Sequence, residues 1–152
     1  MKVGLISLGC ARTLVDSEVA LGELLKRGYT YASDVRNAEV AIVNTCGFTE
    51  AAKQESIDVI LELADLKRRR KIKALVVMGC LSQRYGGELA REIPEADAVI
   101  GTNSYDELAR LLEPLRRREK VFEVEPRPRF LLNHEHRRKR LTPLYTAYLK
   151  IS

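Results

Sequence analysis

The sequence predicts an α/β protein, a doubly wound and mostly parallel sheet of the Rossmann or flavodoxin kind. Short runs rich in Val and Ile alternate with helix-period segments over the first hundred residues. That is the pattern of βαβ units whose strands are covered on both faces. The chain has 152 residues, 45% of them hydrophobic and 31% charged, enough for one domain with its own core.

The strands read as Lys2 to Leu8, Glu39 to Asn44, Ala74 to Met78 and Ala96 to Ile100, with fainter candidates at Tyr29 to Ala32 and Lys120 to Val124. Four helices fall between them. The first follows Cys10: Thr13 and Asp16 have the spacing of a capping box, Leu14, Leu21 and Leu25 mark one face, and Gly28 ends it. Thr49 caps the second, in which Ile57, Ile60, Leu61 and Ala64 are expected to be buried. Its cationic end, Lys67 to Lys71, suits the negative pole of a helix dipole. Shorter helices are expected near Gln83 to Glu92 and Asp106 to Leu115. Residues 1–115 therefore read as the α/β domain, and 116–143 as an extra strand and a basic linker. The apolar run 144–152 reads as an unpaired final strand, the start of a further domain in a chain that continues.

Charge is unevenly placed. Of the net +5, most belongs to residues 116–140, which hold ten basic and four acidic residues, whereas the first 115 are close to neutral. Such a tail is either a solvated linker or an RNA contact, and Phe122 and Phe130 are its only aromatics. No apolar run is long enough to cross a bilayer and no basic leader precedes the first strand, so a soluble, cytoplasmic protein with no membrane partner is expected.

The three cysteines, Cys10, Cys46 and Cys80, each follow a predicted strand and each has a glycine neighbour, Gly9, Gly47 and Gly79. In an open parallel sheet, ligands bind beyond the carboxyl ends of the strands. Three thiols on that edge, with no cysteine elsewhere, point to a shared site rather than to three incidental core fillers. Closed zinc sites want four ligands, commonly in Cys-x-x-Cys pairs, and none is present; His134 and His136 lie in the charged tail. Three thiolates can hold a four-iron, four-sulfur (4Fe–4S) cluster and leave one iron open. A phosphate cradle of the Gly-x-Gly-x-x-Gly or Walker type is missing, and no histidine base accompanies a cysteine nucleophile.

Three segments carry a family resemblance: SLGCARTLVDSE from Ser7 to Glu18, VNTCGFTEAAKQESI from Val43 to Ile57, and VMGCLSQRY from Val77 to Tyr85. Each contains one cysteine. With them the chain resembles the amino-terminal domain of the radical-SAM methylthiotransferase family. Leu14 to Glu18 and Cys46-Gly47-Phe48 are similar to its RimO branch, which modifies a ribosomal protein. The MiaB branch, which modifies tRNA, typically has Gln-Met-Asn and Cys-Ser at these places. Ala11-Arg12-Thr13 departs from the Pro-Lys-Asn usual in the RimO branch.

The resemblance implies that Cys10, Cys46 and Cys80 hold an auxiliary 4Fe–4S cluster. It also implies a second cluster and S-adenosylmethionine in a radical-SAM barrel, whose Cys-x-x-x-Cys-x-x-Cys motif is not in this sequence. The acceptor would be an aspartate of the twelfth small-subunit ribosomal protein, or, as the alternative, a tRNA base. No catalytic residue is expected within these 152 residues, and alone they are expected to be inactive. Asp16, Ser17, Glu18, Asn44 and Thr45 are candidates to orient cluster or substrate, weighed against plain helix capping and strand-end hydrogen bonding. A non-enzymatic flavodoxin-like binding module is the rival from another class.

Overall fold

Alternation along the strands decides the layers. In the computed structural model, which describes residues 1–126 and 136–149, Val40 and Ile42 point to one side of the sheet and Ala41 and Val43 to the other, all four buried. The strands are β1 (Lys2–Ser7), β2 (Thr30–Ala32), β3 (Val40–Thr45), β4 (Ala74–Gly79), β5 (Ala98–Ile100) and β6 (Val121–Glu123). They form one sheet in the order β2-β1-β3-β4-β5-β6, and every adjacent pair is parallel.

The helices are α1 (Ala11–Lys26), α2 (Glu50–Arg68), α3 (Cys80–Glu92) and α4 (Leu108–Leu111). One face of the sheet packs Val3, Ile42, Val76 and Ile100 against Leu21 and Leu24 of α1 and Leu108 and Leu112 at α4. The opposite face packs Val43, Leu75 and Val77 against Ile60 and Leu63 of α2 and Leu81 and Leu89 of α3. The fold is therefore doubly wound, as expected. Each fully buried Leu or Ile contributes roughly 1.5–3 kcal/mol.

The chain leaves β1 toward β2 on one side and β3 toward β4 on the other, so the strand order reverses between β1 and β3. That reversal opens a crevice at their carboxyl ends.

Several local expectations differ from the structure. The capping box at Thr13 and Asp16 does not form: α1 starts at Ala11, with Cys10 as an extended N-cap that makes no side-chain cap bond. Thr13 and Asp16 are buried instead. In α2 the Thr49 hydroxyl does accept the Ala52 amide (3.1 Å), but the buried stripe is Ser56, Ile60, Leu63 and Ala64, and Leu61 is half exposed. Rotation by one residue is enough to move Leu61 off a stripe of 3.6-residue period. Helix α3 begins at Cys80, not near Gln83, because Gly79 (φ +107°) turns the strand directly into it. The fourth helix is a single turn followed by a 3₁₀ segment, Glu113–Arg117, since Pro114 has no N–H with which to continue an α-helix.

Strand β6 extends this same sheet beside β5. The last run behaves otherwise: residues 144–149 form no strand, Thr146 closes a turn onto the Pro143 carbonyl (3.0 Å), and Leu144, Tyr145 and Leu149 are exposed. Residues 150–152 of that expected strand, together with Phe130 and His134, lie outside the described residues. No helix among the described residues is long and apolar enough to cross a membrane.

Candidate functional site

All three thiols emerge at the carboxyl edge of neighbouring strands: Cys10 after β1, Cys46 after β3 and Cys80 after β4. All three are free. Cys46 is the buried one, and its backbone is fixed on both sides by Ser56 of α2, whose hydroxyl accepts from the Cys46 amide (3.0 Å) and donates to its carbonyl (2.9 Å). The β1–α1 turn lies directly on it. A Cβ at Gly9 would come within 2.6 Å of the Cys46 Cβ and 2.9 Å of its Sγ, and the φ of +93° suits glycine in any case.

Among the helices that start at this edge, α2 is capped by Thr49, whereas α1 behind Cys10 and α3 at Cys80 have no side-chain cap. Their unpaired N–H groups give the edge a positive bias that favours thiolates or an anionic ligand. Thr13 Oγ1 is 3.5 Å from Cys10 Sγ, and hydrogen bonds from the Thr13 hydroxyl and then its amide hold the Cys10 thiol below the usual cysteine value. Cys80 is pushed the other way, first by the atoms packed around its thiol and then by the charges of Cys46, Asp16 and Cys10.

A polar network backs the edge. Asn44, fully buried at the end of β3, donates through Nδ2 to the Thr13 carbonyl (3.1 Å) and to Ser17 Oγ (2.9 Å), and Ser17 in turn donates to Ser7 Oγ (2.8 Å). Asn44 Oδ1 has no partner, and it lies so close to Gly79 that any Cβ there would overlap it. Of the other polar candidates, Thr45 donates to the Met78 carbonyl (2.6 Å) and stitches β3 to β4. Buried Asp16 stands near enough for its charge to bear on Cys80 and Tyr105. Glu18 is turned away from the thiols, its carboxylate taken by Arg138 and by the Leu141 amide (2.8 Å). His136 lines a small cavity with Glu23, Lys26 and Asp106.

Sequence reasoning missed Tyr105, Ser56, Ser7 and Thr13 as parts of this site. Tyr105 enters from the loop after β5; burial first, then the charges of Asp16 and Cys80, hold its phenol well above the tyrosine range. No motif marks it. Ser7, Thr13 and Ser56 do fall inside the quoted segments, but only the fold shows what they hold.

A single metal ion draws its thiolates to about 2.3 Å. Among the described residues no three His, Cys, Asp or Glu side chains are so gathered. The three sulfurs are soft donors of the kind that metal–sulfur clusters use, and Gly9 packs its backbone directly against Cys46.

The family profile described as uncharacterized protein family UPF0004 matches residues 2–101. Over 151 residues, 99% of this chain, the sequence is 47% identical to the ribosomal protein uS12 methylthiotransferase RimO of Geobacter sulfurreducens, covering 34% of that protein. The RimO of Clostridioides difficile is 46% identical over 99% of this chain and 34% of its own length. The RimO of Symbiobacterium thermophilum is 47% identical over 100% of the chain and 31% of its length. The chain thus spans about a third of the length of these relatives. With the match covering most of its sheet and all three thiol-bearing strand ends, this chain belongs to the UPF0004 family.

Proposed function

We propose that this chain is the cluster-binding amino-terminal domain of a methylthiotransferase acting on ribosomal protein uS12. The observation that carries the activity is the likeness to uS12 methylthiotransferases along the whole chain. The three-thiol edge at the switch point supplies matching chemistry.

On this reading Cys10, Cys46 and Cys80 hold a 4Fe–4S cluster as thiolates. When bound, such a cluster offers an iron that the protein leaves unligated, where a sulfur species can sit. The chain's own residues do the positioning. Ser56 fixes Cys46, Thr13 supports Cys10, and Asn44 with Ser17 and Ser7 holds the first turns of α1 against the end of β3. A second cluster and S-adenosylmethionine belong to the remaining length of such a methylthiotransferase, and the acceptor aspartate belongs to uS12. Residues 144–152 are then the entry to that barrel, with 116–143 leading to it.

Anaerobic reconstitution with iron and sulfide, followed by iron and sulfide counting and Mössbauer spectroscopy, tests the site. The expected result is one 4Fe–4S cluster per chain, lost when all three cysteines become alanine. No uptake, or uptake unchanged in the triple variant, overturns the assignment. For the activity, the full-length enzyme is expected to methylthiolate uS12 and to leave tRNA unmodified in a mass-spectrometric assay; the opposite selectivity would assign it to tRNA.

A further inference from the structure

The edge of the sheet opposite the thiols carries a feature that the proposed chemistry does not use. The chain reaches β4 through the end of α2, and β6 through the 3₁₀ segment Glu113–Arg117, and both approaches are cationic. Carboxylates on this edge are already engaged: Asp97 with Lys67 (2.6 Å), Glu95 with Arg68 (2.9 Å), Asp65 with Arg69 (2.7 Å) and Glu39 with Lys73 (2.5 Å). Arg70, Lys71 and Arg118 are exposed and have no partner among the described residues. Lys120 gives its ammonium only to the Pro94 carbonyl (2.6 Å), so its charge too is uncompensated. Backbone bonds from Val121 to Asp97 (2.7 Å) and from Asp97 to Leu75 (2.8 Å) tie the three strand starts side by side. The starts of β4 and β6 therefore lie about 10 Å apart.

Backbone conformation gives an independent reason to single out two of these residues. Arg70 (φ 58°) and Arg118 (φ 61°) are the only non-glycine residues with positive φ among those described, each just past a helical segment. Glycine or asparagine fits that left-handed position, and a Cβ there is strained. Compensation of the helix ends does not require them, since Lys67, Arg68, Arg116 and Arg117 already occupy the last turns. Strained residues of this kind concentrate at functional positions.

We propose that this edge, centred on Arg70, Lys71, Arg118 and Lys120, is a docking surface for the phosphate backbone of RNA. Guanidinium forks match phosphate oxygens in pairs, and several uncompensated cations along one sheet edge suit a repeating polyanion. The six residues of β4 separate the surface from the thiols by about 20 Å, so it is independent of the cluster assignment.

Fluorescence anisotropy with a labelled RNA duplex of about 20 base pairs, titrated into the intact protein at several KCl concentrations, tests this. Combining Arg70→Gly, Lys71→Gln, Arg118→Gly and Lys120→Gln is expected to weaken binding at least tenfold. The slope of log affinity against log salt should become shallower by about one for each cation removed. The thermal midpoint should hold or rise, because the two glycines relieve strain; a fall large enough to account for the lost binding by unfolding overturns the proposal. It is also overturned by unchanged affinity and slope, by loss of binding only when Arg137 and Lys139 are replaced, or by equal binding of polyglutamate. Should the quadruple variant fold poorly, Lys71→Gln with Lys120→Gln must still lower the slope by about two.

Discussion

Asn44 uses both amide hydrogens on α1, one on the Thr13 carbonyl and one on Ser17 Oγ. Only an acceptor remains, and an acceptor cannot support a thiolate. Its influence on the thiol edge therefore runs through position: it ties the end of β3 to the helix that starts behind Cys10. Asn44→Ala is expected to cost about 1–2 kcal/mol, the usual range when a buried polar partner is lost. It should also lower the iron retained after reconstitution. Asn44→Asp should do worse, because a carboxylate oxygen would then face the Thr13 carbonyl. Urea denaturation and iron counting on the two variants check this, and wild-type values for both would remove Asn44 from the site.

Helix α1 is unusual for a surface helix, because Thr13, Asp16, Ser17 and Glu18 on its first turns are all buried. The first three face the thiol edge and its network. Glu18 instead fastens the tail: Arg138 pairs with its carboxylate, Leu141 N donates to Oε1 (2.8 Å), and Lys139 N donates to the Glu18 carbonyl (3.0 Å). Gly22 leaves room for the backbone of Arg137 and Arg138 to lie on the helix. This part of the basic tail is a strap, not a solvated linker. Arg138→Ala leaves Glu18 without its cation, and the strap is expected to lift rather than the domain to unfold. Amide exchange at Lys139 and Leu141 should accelerate by at least tenfold, equivalent to about 1.4 kcal/mol of lost protection. The exchange of β3 and β4 should not change. Unaltered protection at both tail amides would show that the ion pair does not hold the strap.

Stability of the whole molecule rests on two apolar layers, and the thiols belong to neither. Ile42, Val76 and Ile100 on one face and Leu75 and Val77 on the other are buried whether or not a ligand sits at the edge. Removing iron from the reconstituted protein with a chelator is therefore expected to lower the thermal midpoint, as loss of any native-state ligand does, while leaving the far-ultraviolet circular dichroism of the sheet and helices in place. Loss of secondary structure on chelation would mean that the cluster, not the core, organises the fold, as in small zinc domains.

The sequence by itself determined the four central strands, because Val- and Ile-rich runs of five to seven residues bounded by turn signals have few other readings, whereas the run 144–149, read as a further strand, forms none. It also determined that Cys10, Cys46 and Cys80 share an edge, since each follows a strand and parallel strands end on the same side. Tertiary structure alone decided the strand order, and with it the crevice between β1 and β3. Strand order depends on which crossovers pack against which face, and short buried strands carry no record of their neighbours. The fate of buried polar residues was equally out of reach. Asp16, Ser17 and Glu18 are consecutive and similar in character, yet Ser17 meets Asn44, Asp16 lies near Cys80, and Glu18 grips a tail 120 residues away in sequence. Helical rotation of about 100° per residue sends consecutive side chains to different surroundings, and only the packed molecule says what waits there.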